Sequence, residues 1–355
     1  MTKAILVVGL FRPANNHSNP VTASQQLAEL LDKHHIPVMK TSFRQGRIAR
    51  MLDTVCTILF QSRKFSLAIV PLFGTRPSFI WQELATRLLR LLGKPYIIVV
   101  HGGSIPERMK QQSDPFIKAL QRADKIVCPS GFLQFHLRQY GLESVVIENV
   151  LELSAYRFVQ KENIRPRIVW MRSFSDIYYP QMAVRVAALL AKKYPDFRMV
   201  MAGNDGGLLT LVQAMVKEYR LEEQVIFPGF INRQQKQELA KDFDIYICTN
   251  RIDNAPVSVI EFMSLGLPVV SVNTGGLPYL IHNGVNGFLV AQDDDAVMAA
   301  QIETLISDPS LAATVAANAL LYSTQYDEAP VLQKWISLFR EMTVNVPEST
   351  KSTNT

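Results

Sequence analysis

Two acidic residues stand eight positions apart, one in a loop and one on the helix pattern that follows it. Asp253 lies in the polar loop after the apolar run 245–248, and Glu261 lies on a helix pattern that ends at Gly266. The first N–H groups of a helix have no partner within it and lie at the positive end of its dipole. Such a loop can hold a pyrophosphate on backbone N–H groups while the carboxylates accept hydrogen bonds from hydroxyls, as a sugar nucleotide requires. The spacing alone fits equally well a helix-capping acid and a solvent-exposed glutamate.

The rest of the chain must supply the elements that position these acids. Apolar, β-branched runs alternate with helical patterns from end to end, which predicts parallel sheets with helices on both faces. The expected strands of the first half are residues 4–10, 37–40, 67–71, 96–100, 125–128 and 145–147. The expected strands of the second half are residues 167–171, 199–202, 225–227, 245–248, 269–272 and 288–290.

A polar, charged stretch at residues 156–166 separates two halves that have the same alternation. Because the chain has 355 residues, each half can form a domain with its own core. We therefore predict domains at residues 1–155 and 167–329, joined by that stretch as a linker. An amphipathic helix at residues 330–345 is expected to cross back to the first domain, and the small polar residues 346–355 indicate a disordered tail.

The composition is that of a soluble globular protein, with 48% hydrophobic and 19% charged residues. Cys56, Cys128 and Cys248 lie far apart in apolar sequence, so we expect buried thiols in a reducing compartment. No apolar run approaches the roughly 18 residues that would predict a transmembrane helix. The first apolar run enters a polar loop, which is typical of a first strand and not of a signal peptide.

Basic charge is concentrated in the first half. Residues 1–155 contain 19 Lys and Arg against 10 Asp and Glu, a net charge of +9, whereas residues 156–355 contain 18 against 21, a net charge of −3. Eight basic residues fall within residues 44–90, where amphipathic helix patterns occupy residues 46–62 and 77–92. This face predicts contact with an anionic membrane surface, although a solvated basic helix face explains the charge as well. No recognised nucleic-acid motif is present, so no nucleic-acid partner is expected.

The segment from Asp253 to Pro268 resembles the donor-site motif of the retaining GT-B glycosyltransferases, which are glycosyltransferase family 4-like or group 1 enzymes. That motif is an acid, seven residues, Glu, a small-residue turn, Gly and Pro-Val, and its first acid is more often Glu than Asp. The resemblance extends over roughly residues 4–340, with gaps in the first half. It implies an α/β GT-B fold, in which two Rossmann-like domains have parallel sheets facing across a cleft. The N-terminal domain would then bind the acceptor and the C-terminal domain the donor.

The resemblance also places an arginine at the donor diphosphate. Arg172 follows the strand pattern 167–171, where the family has a phosphate-binding arginine, and a guanidinium can bind phosphate oxygens through two N–H groups. The family usually has Lys about six residues later, and this sequence has Tyr178 there. Either Tyr178 or Tyr179 donates a hydrogen bond instead, or Arg172 and backbone amides alone stabilise the leaving diphosphate.

Further donor-site residues follow from the same likeness. Asp253 and the backbone amides of Asn254 and Ala255 are expected to hold the sugar hydroxyls, and Glu261 is expected to accept from the ribose hydroxyls. A glycine-rich turn, a residue that covers the base and two helix starts complete the expected pocket, with Gly203, Asn204, Phe230, Val257, Ser258, Thr274 and Gly275. The acidic run 293–295 fits the start of a helix better than a metal site, and no metal is expected.

The acceptor side is less well defined by the sequence. His101 follows the strand pattern 96–100, where retaining relatives often have a histidine that reaches the donor sugar. The loop with Pro13, Asn15 and Asn16 takes the place of the family's first loop, which faces the acceptor, but it lacks the paired glycines often found there.

The residues and the resemblance together predict a metal-independent retaining transferase without a cofactor. It would move a hexose from a UDP-, GDP- or ADP-linked sugar to a hydroxyl of a glycan or lipid-linked acceptor, in cell-surface polysaccharide or glycolipid synthesis. Asp253, His101 and Arg172 would be the catalytic residues. We expect the protein in the cytoplasm or at the inner face of the cytoplasmic membrane. Two alternatives stay open: a GT-B sugar-nucleotide epimerase or hydrolase, and a non-catalytic GT-B subunit that scaffolds an active partner.

Overall fold

The chain forms two compact α/β units in a computed structural model that describes residues 3–11, 22–44, 46–73, 76–110 and 115–342. The N-terminal unit comprises Met1–Val150 and Tyr326–Thr355, and the C-terminal unit comprises Leu151–Gln325. The last helix of the chain therefore belongs to the N-terminal unit. Residues 346–355, which the sequence predicts to be a disordered tail, lie outside the described residues.

The described residues of the N-terminal unit form six strands: β1 (Ala4–Val8), β2 (Val38–Thr41), β3 (Phe65–Phe73), β4 (Tyr96–His101), β5 (Lys125–Cys128) and β6 (Val145–Val146). They form one parallel sheet in the order β2-β1-β3-β4-β5-β6. The predicted first-half strands are confirmed, with ends that shift by one or two residues. These strands are nearly continuous apolar runs because helices cover both faces of a parallel sheet.

The helices of this unit are α1 (Ala23–Lys33), α2 (Arg47–Gln61), α3 (Arg76–Leu91), α4 (Ile105–Met109), α5 (Pro115–Gln121), α6 (Gly131–Arg138) and the C-terminal helix (Glu328–Glu341). Successive side chains of a strand point to opposite faces, so Leu6 and Val8 of β1 enter one core and Ile5 and Val7 enter the other. The second core contains side chains of α1 and of the C-terminal helix.

Six strands also build the C-terminal unit: β7 (Arg167–Met171), β8 (Arg198–Ala202), β9 (Val225–Gly229), β10 (Ile245–Cys248), β11 (Val269–Val272) and β12 (Phe288–Val290). They form a parallel sheet in the order β12-β11-β10-β7-β8-β9. The predicted second-half strands are therefore confirmed. The chain leaves β7 toward β8 and β9, then returns to the other side of β7 as β10.

The helices of the C-terminal unit are α7 (Pro180–Lys193), α8 (Leu209–Glu218), α9 (Arg233–Asp242), α10 (Val257–Ser264), α11 (Leu277–Leu280), α12 (Asp295–Ser307) and α13 (Pro309–Ser323). The stretch 156–166, predicted to be a linker, packs along this unit. The N–H of Val159 donates to the carbonyl of Leu265 at 3.0 Å, and the Arg165 side chain binds the buried carboxylate of Asp244. These backbone and ionic contacts make the stretch part of the C-terminal unit, which begins at Leu151.

The cysteines, the acidic run 293–295 and the lengths of the helices can be compared with the expectations from the sequence. Cys128 and Cys248 are buried, but Cys56 is exposed, because it lies on the outward side of α2. In the acidic run 293–295, Asp294 caps α12 by accepting from the N–H of Val297, and Asp295 binds Arg185. Among the described residues, no helix is both long and apolar enough to cross a bilayer.

Candidate donor site

Two neighbouring strands of the C-terminal sheet, β7 and β10, end where the strand order changes direction. The loops that leave such a pair diverge, so the carboxyl ends of the strands border a crevice where ligands bind in open α/β sheets. Arg172 follows β7 directly, and the loop with Asp253 follows β10. Strand order thus brings together two side chains that are 81 positions apart in the sequence.

The guanidinium of Arg172 contacts the carboxylate of Asp253 and lies over the ring of Tyr178, 4.6 Å from its centroid. The two ion-paired side chains are only 16% and 17% exposed. Among the described residues, Nε of Arg172 is a buried donor without a hydrogen-bond partner. An unpaired buried N–H group is costly, and an oxygen of a bound anion would remove that cost.

The protonation states of this pair are set by burial and by the neighbouring charge. Burial lowers the pKa of Arg172, but the Asp253 carboxylate and the neighbouring Tyr246, Cys248 and Tyr178 together raise it by more, so the guanidinium remains charged. Burial raises the pKa of the Tyr178 hydroxyl, and Arg172 acts in the opposite direction. Tyr178 can therefore donate a hydrogen bond at neutral pH, but it does not replace the positive charge of the lysine usual at its position.

Several donors fix the orientation of the Asp253 carboxylate. Besides Arg172, it accepts from Nδ2 of Asn250 at 2.6 Å and from the backbone N–H of Asn254 at 2.8 Å. Asn250 is completely buried, and its Oδ1 has no hydrogen-bond partner among the described residues. Asp253 is accordingly held in place, with its charge compensated inside the unit.

Three glycines allow the loops of this site to pack backbone against backbone. A Cβ at Gly203 would lie 1.8 Å from the carbonyl oxygen of Arg172, and the φ of Gly203 is +147°. A Cβ would lie 2.2 Å from the carbonyl oxygen of Asp253 at Gly275, and 1.6 Å from that of Asn254 at Gly276. The N–H of Gly276 also donates to the Asp253 carbonyl at 3.0 Å. These glycines hold the backbone of the ion pair and need not touch a ligand themselves.

Glu261 lies in the second turn of α10 and already has partners. Nζ of Lys236, on α9, lies 2.7 Å from both carboxylate oxygens, and the hydroxyl of Tyr156 donates to Oε1 at 2.7 Å. Burial raises the pKa of Tyr156, and the Glu261 charge raises it further, so the tyrosine stays a neutral donor. Glu261 thus pairs with Lys236, as Asp253 pairs with Arg172.

A buried tyrosine of β10 joins the end of β7 to the first turn of α10. The hydroxyl of Tyr246 lies 3.2 Å from the carbonyl oxygen of Met171, next to Arg172, and 2.9 Å from Oγ of Ser258, on α10. The Ser258 side chain, expected at the donor, therefore points into the unit. What Ser258 and Val257 offer a ligand is their backbone N–H groups in the first turn of α10.

The other predicted residues occupy several environments. Oγ1 of Thr274 donates to the carbonyl of Arg251 at 2.8 Å, which ties the loop after β11 to the loop after β10. Ala255 is half-buried before α10, whereas Asn204 and Phe230 are exposed on the loops after β8 and β9. The acceptor-side residues Pro13, Asn15 and Asn16 lie outside the described residues.

His101 belongs to the N-terminal unit, at the end of β4. Its ring stacks on Phe73, with 5.4 Å between the centroids. Burial lowers the pKa of His101 from 6.5 to about 4. The imidazole is therefore neutral at neutral pH and can exchange hydrogen bonds with a hydroxyl, but it brings no positive charge.

Some residues of the site are not recognisable from the sequence. Lys236 and Tyr156 are 25 and 105 positions from Glu261, and neither spacing has a local pattern. Gly276, by contrast, is recognisable in the sequence, since it forms a pair with Gly275 at the start of a helix pattern.

A family model described as "Glycosyl transferases group 1" matches residues 156–321. An uncharacterized glycosyltransferase of Haemophilus influenzae is 29% identical over 154 residues, which are 43% of this chain and 42% of the relative. The amylovoran biosynthesis glycosyltransferase AmsK of Erwinia amylovora is 26% identical over 304 residues, which are 81% of this chain and 74% of the relative. The chain thus spans about two fifths of the Haemophilus relative.

Solved structures agree with the fold. Anabaena HepE, crystallised in complex with UDP and glucose, has a TM-score of 0.72 and 20% identity, and the match covers 96% of this chain and all of HepE. At that identity the likeness shows the fold alone. The chain has the α/β GT-B fold with two parallel six-stranded sheets, and its residues 156–321 are similar to the group 1 glycosyl transferases.

Proposed function

We propose that this protein transfers a hexose from a nucleoside-diphosphate sugar to a hydroxyl of a glycan or lipid-linked acceptor, with retention at the anomeric carbon. The observation that carries the proposal is the pairing of Arg172 with Asp253 at the carboxyl ends of β7 and β10. A cation and an acid side by side at a strand-order reversal match the two parts of the donor, a diphosphate and a sugar with hydroxyls.

Donor binding exchanges the partners of this pair. The diphosphate takes the place of Asp253 on the guanidinium of Arg172, and a phosphate oxygen accepts from the buried Nε–H as well. The carboxylate of Asp253, still held by Asn250, then accepts hydrogen bonds from the sugar hydroxyls. Arg172 and the N–H groups that begin α10 stabilise the charge that develops on the leaving diphosphate.

The Glu261 cluster fits the ribose end of the donor. Two adjacent ribose hydroxyls can each donate to one carboxylate oxygen, in competition with Lys236. Lys236 stays beside them and supplies a positive charge, which the site lacks at Tyr178. Phe230, Thr274 and the backbone at Gly203 are proposed to line the pocket of the base and the diphosphate.

An oxygen of the leaving diphosphate takes the proton of the acceptor hydroxyl on the face of departure, so retention needs no strong protein base. Neutral His101 is proposed to hydrogen-bond a donor sugar hydroxyl. No metal or cofactor is proposed.

The names of HepE in complex with UDP and of AmsK in amylovoran biosynthesis favour a UDP-linked donor and a cell-surface polysaccharide. We place the protein in the cytoplasm, at an anionic membrane, where the unpaired Cys128 and Cys248 stay reduced.

Glu261→Gln tests the donor site. Gln lacks the charge that compensates Lys236, and its NH2 group cannot accept a hydrogen bond from the second ribose hydroxyl. The Kd of the donor should therefore rise about 10- to 100-fold, the range for a hydrogen bond to a charged group. Calorimetry with UDP, GDP and ADP sugars measures the Kd, and mass spectrometry detects the transferred hexose. The matched control is Glu238→Gln on the surface of α9, where Glu238 pairs with Lys241. Equal donor affinity in the two variants would refute the assignment of Glu261.

A non-catalytic role is the second candidate, because both acids already have cationic partners and Tyr178 replaces the usual lysine. A scaffold subunit would keep these ion pairs as structural contacts. Thermal-shift measurements with the same nucleotides separate the two functions. Stabilisation by one nucleotide together with hexose transfer supports the enzyme, and no stabilisation by any of them supports the scaffold.

A further inference from the structure

Helix α2 of the N-terminal unit turns its apolar side outward. Ile48, Leu52, Leu59 and Phe60 are 72%, 55%, 40% and 82% exposed, and Cys56 is exposed between them. The spacing of these residues places them on one side of the helix. We call this set the α2 face.

The inward side of α2 is partly polar. Thr54 and Thr57 are buried, together with Ile58. Oγ1 of Thr54 accepts from Nε1 of Trp81 on α3 at 3.0 Å and donates to the carbonyl of Arg50 at 2.9 Å. The hydrogen bond from Trp81 joins the inward side of α2 to α3. A surface helix normally buries its apolar side, so this orientation leaves the α2 face for an apolar environment outside the unit.

Basic residues flank the α2 face at both ends. Arg44 and Arg47 precede or begin the helix, Arg63 and Lys64 follow it, and all four are exposed. In the part of the chain that the structure describes, none of these four forms an ion pair. The one acid between residues 43 and 64 is Asp53, which is half-buried and accepts from Thr41. The face is therefore apolar in the middle and positive at its ends.

We propose that the α2 face docks on an anionic phospholipid bilayer, with its apolar side chains at the boundary between headgroups and acyl chains. An amphipathic helix of this kind lies in the plane of the interface, and basic residues beside it attract acidic headgroups. A second copy is a poorer occupant, since a two-fold contact would place the same positive ends against each other. A nucleic acid would satisfy the charges but leave the apolar side chains without apolar contacts. The inference deepens the membrane contact included in the proposed function.

Cys56 provides a probe on the face itself, because Cys128 and Cys248 are buried. The full-length protein is labelled at Cys56 with an environment-sensitive fluorophore and titrated with two kinds of vesicle. One contains phosphatidylcholine alone, and the other also contains about 30 mol% phosphatidylglycerol, whose headgroup is anionic. We expect a blue shift with the anionic vesicles that weakens as salt rises, since salt screens exposed charges. Equal responses to the two vesicles would overturn the proposal.

Two double variants and two controls assign the contact to these residues. Arg47→Gln/Arg63→Gln should weaken the partition coefficient about 25-fold, at roughly fivefold per basic residue near an anionic surface. Ile48→Ser/Phe60→Ser should abolish the blue shift. Leu321→Ser, which changes an apolar side chain 71% exposed on α13, and Lys192→Gln/Lys217→Gln should bind as the parent protein does. Flotation of unlabelled protein repeats each comparison.

Circular dichroism checks that each variant is folded. Sedimentation without lipid tests whether a second copy occupies the α2 face. If the parent protein is a dimer and Ile48→Ser/Phe60→Ser is a monomer, the face belongs to the dimer and the proposal is overturned. Unchanged flotation of both double variants would also overturn the proposal. Since donor affinity is measured without lipid, failure here is distinguishable from failure of the transferase proposal.

Discussion

At the residue scale, each acid of the candidate site is paired with a cation of the same unit. Asp253 pairs with Arg172, and Glu261 pairs with Lys236. Removing one partner of a buried pair leaves an uncompensated charge, which is strongly destabilising. A ligand with phosphates and hydroxyls can replace these partners. Its phosphates offer a negative charge to the cation of a pair, and its hydroxyls donate hydrogen bonds to the acid. The ion pairs therefore keep the binding groups oriented without a ligand.

His101 gives a prediction of pH dependence. Its pKa is lowered to about 4 in the folded protein, so the unfolded chain takes up this proton first as the pH falls. The stability that neutral His101 contributes is complete above about pH 6.5 and is lost progressively as the pH falls toward 4. NMR titration of the imidazole, assigned with His101→Gln, should give a midpoint near 4. The unfolding free energy of that variant should fall less steeply across this range. A midpoint near 6.5 would contradict the prediction.

At the element scale, the loop after β8 packs backbone to backbone on the loop after β7, and the loop after β11 packs in the same way on the loop after β10. Gly203 approaches the Arg172 carbonyl, and Gly275 and Gly276 approach the carbonyls of Asp253 and Asn254. The N–H of Gly276 also donates to the carbonyl of Asp253, which ties the loop after β11 to the loop that contains the acid. The geometry of the site therefore depends on glycines, because a Cβ at these positions would prevent the loops from approaching so closely.

Gly276→Ala should separate the loops after β10 and β11. Gly276 has an ordinary φ of −86°, so the cost is steric and comes from the Asn254 carbonyl, 1.6 Å from the added Cβ. We expect a loss of about 1–3 kcal/mol in unfolding free energy, the range for overpacking, together with weaker donor binding. Gly46→Ala is the matched control. Gly46 also precedes a helix with negative φ, but its Cβ would meet its nearest neighbour at an ordinary 3.8 Å. Denaturant unfolding measures both variants, and an equal effect would contradict the steric argument.

At the scale of the whole molecule, the C-terminal helix completes the core of the N-terminal unit. Trp335 and Phe339 are buried there, with 5.6 Å between their ring centroids, in the core that also contains side chains of β1 and α1. The N-terminal unit is thus built from both ends of the chain. It cannot complete this core until the C-terminal unit has been synthesised.

Trp335→Ala should destabilise the N-terminal unit selectively. Loss of a buried Trp leaves a cavity that costs about 3–5 kcal/mol. Hydrogen exchange should accelerate in the strands β1 to β6 and remain unchanged in β7 to β12. The control is Leu321→Ala, since Leu321 is exposed on the C-terminal unit. Faster exchange in both units would mean that they unfold together.

The sequence by itself determined the twelve strands, the α/β class and the position of Asp253, Glu261 and Arg172 on their elements. These features depend on apolar runs, helical periodicity and helix-ending residues, which are read within a few turns of chain. The periodicity of residues 46–62 likewise showed an amphipathic helix. It did not show that the apolar side faces outward.

Only the tertiary structure decided the partners of these residues. Strand order placed Arg172 beside Asp253, and the packing of α9 and the stretch 156–166 placed Lys236 and Tyr156 on Glu261. The polar composition of that stretch predicts a linker, yet its polar groups have hydrogen-bond and ionic partners within the C-terminal unit. The hydrogen bond from Trp81 to Thr54 joined the inward side of α2 to α3. Contacts between distant segments depend on sheet topology and on packing, and local spacing contains neither.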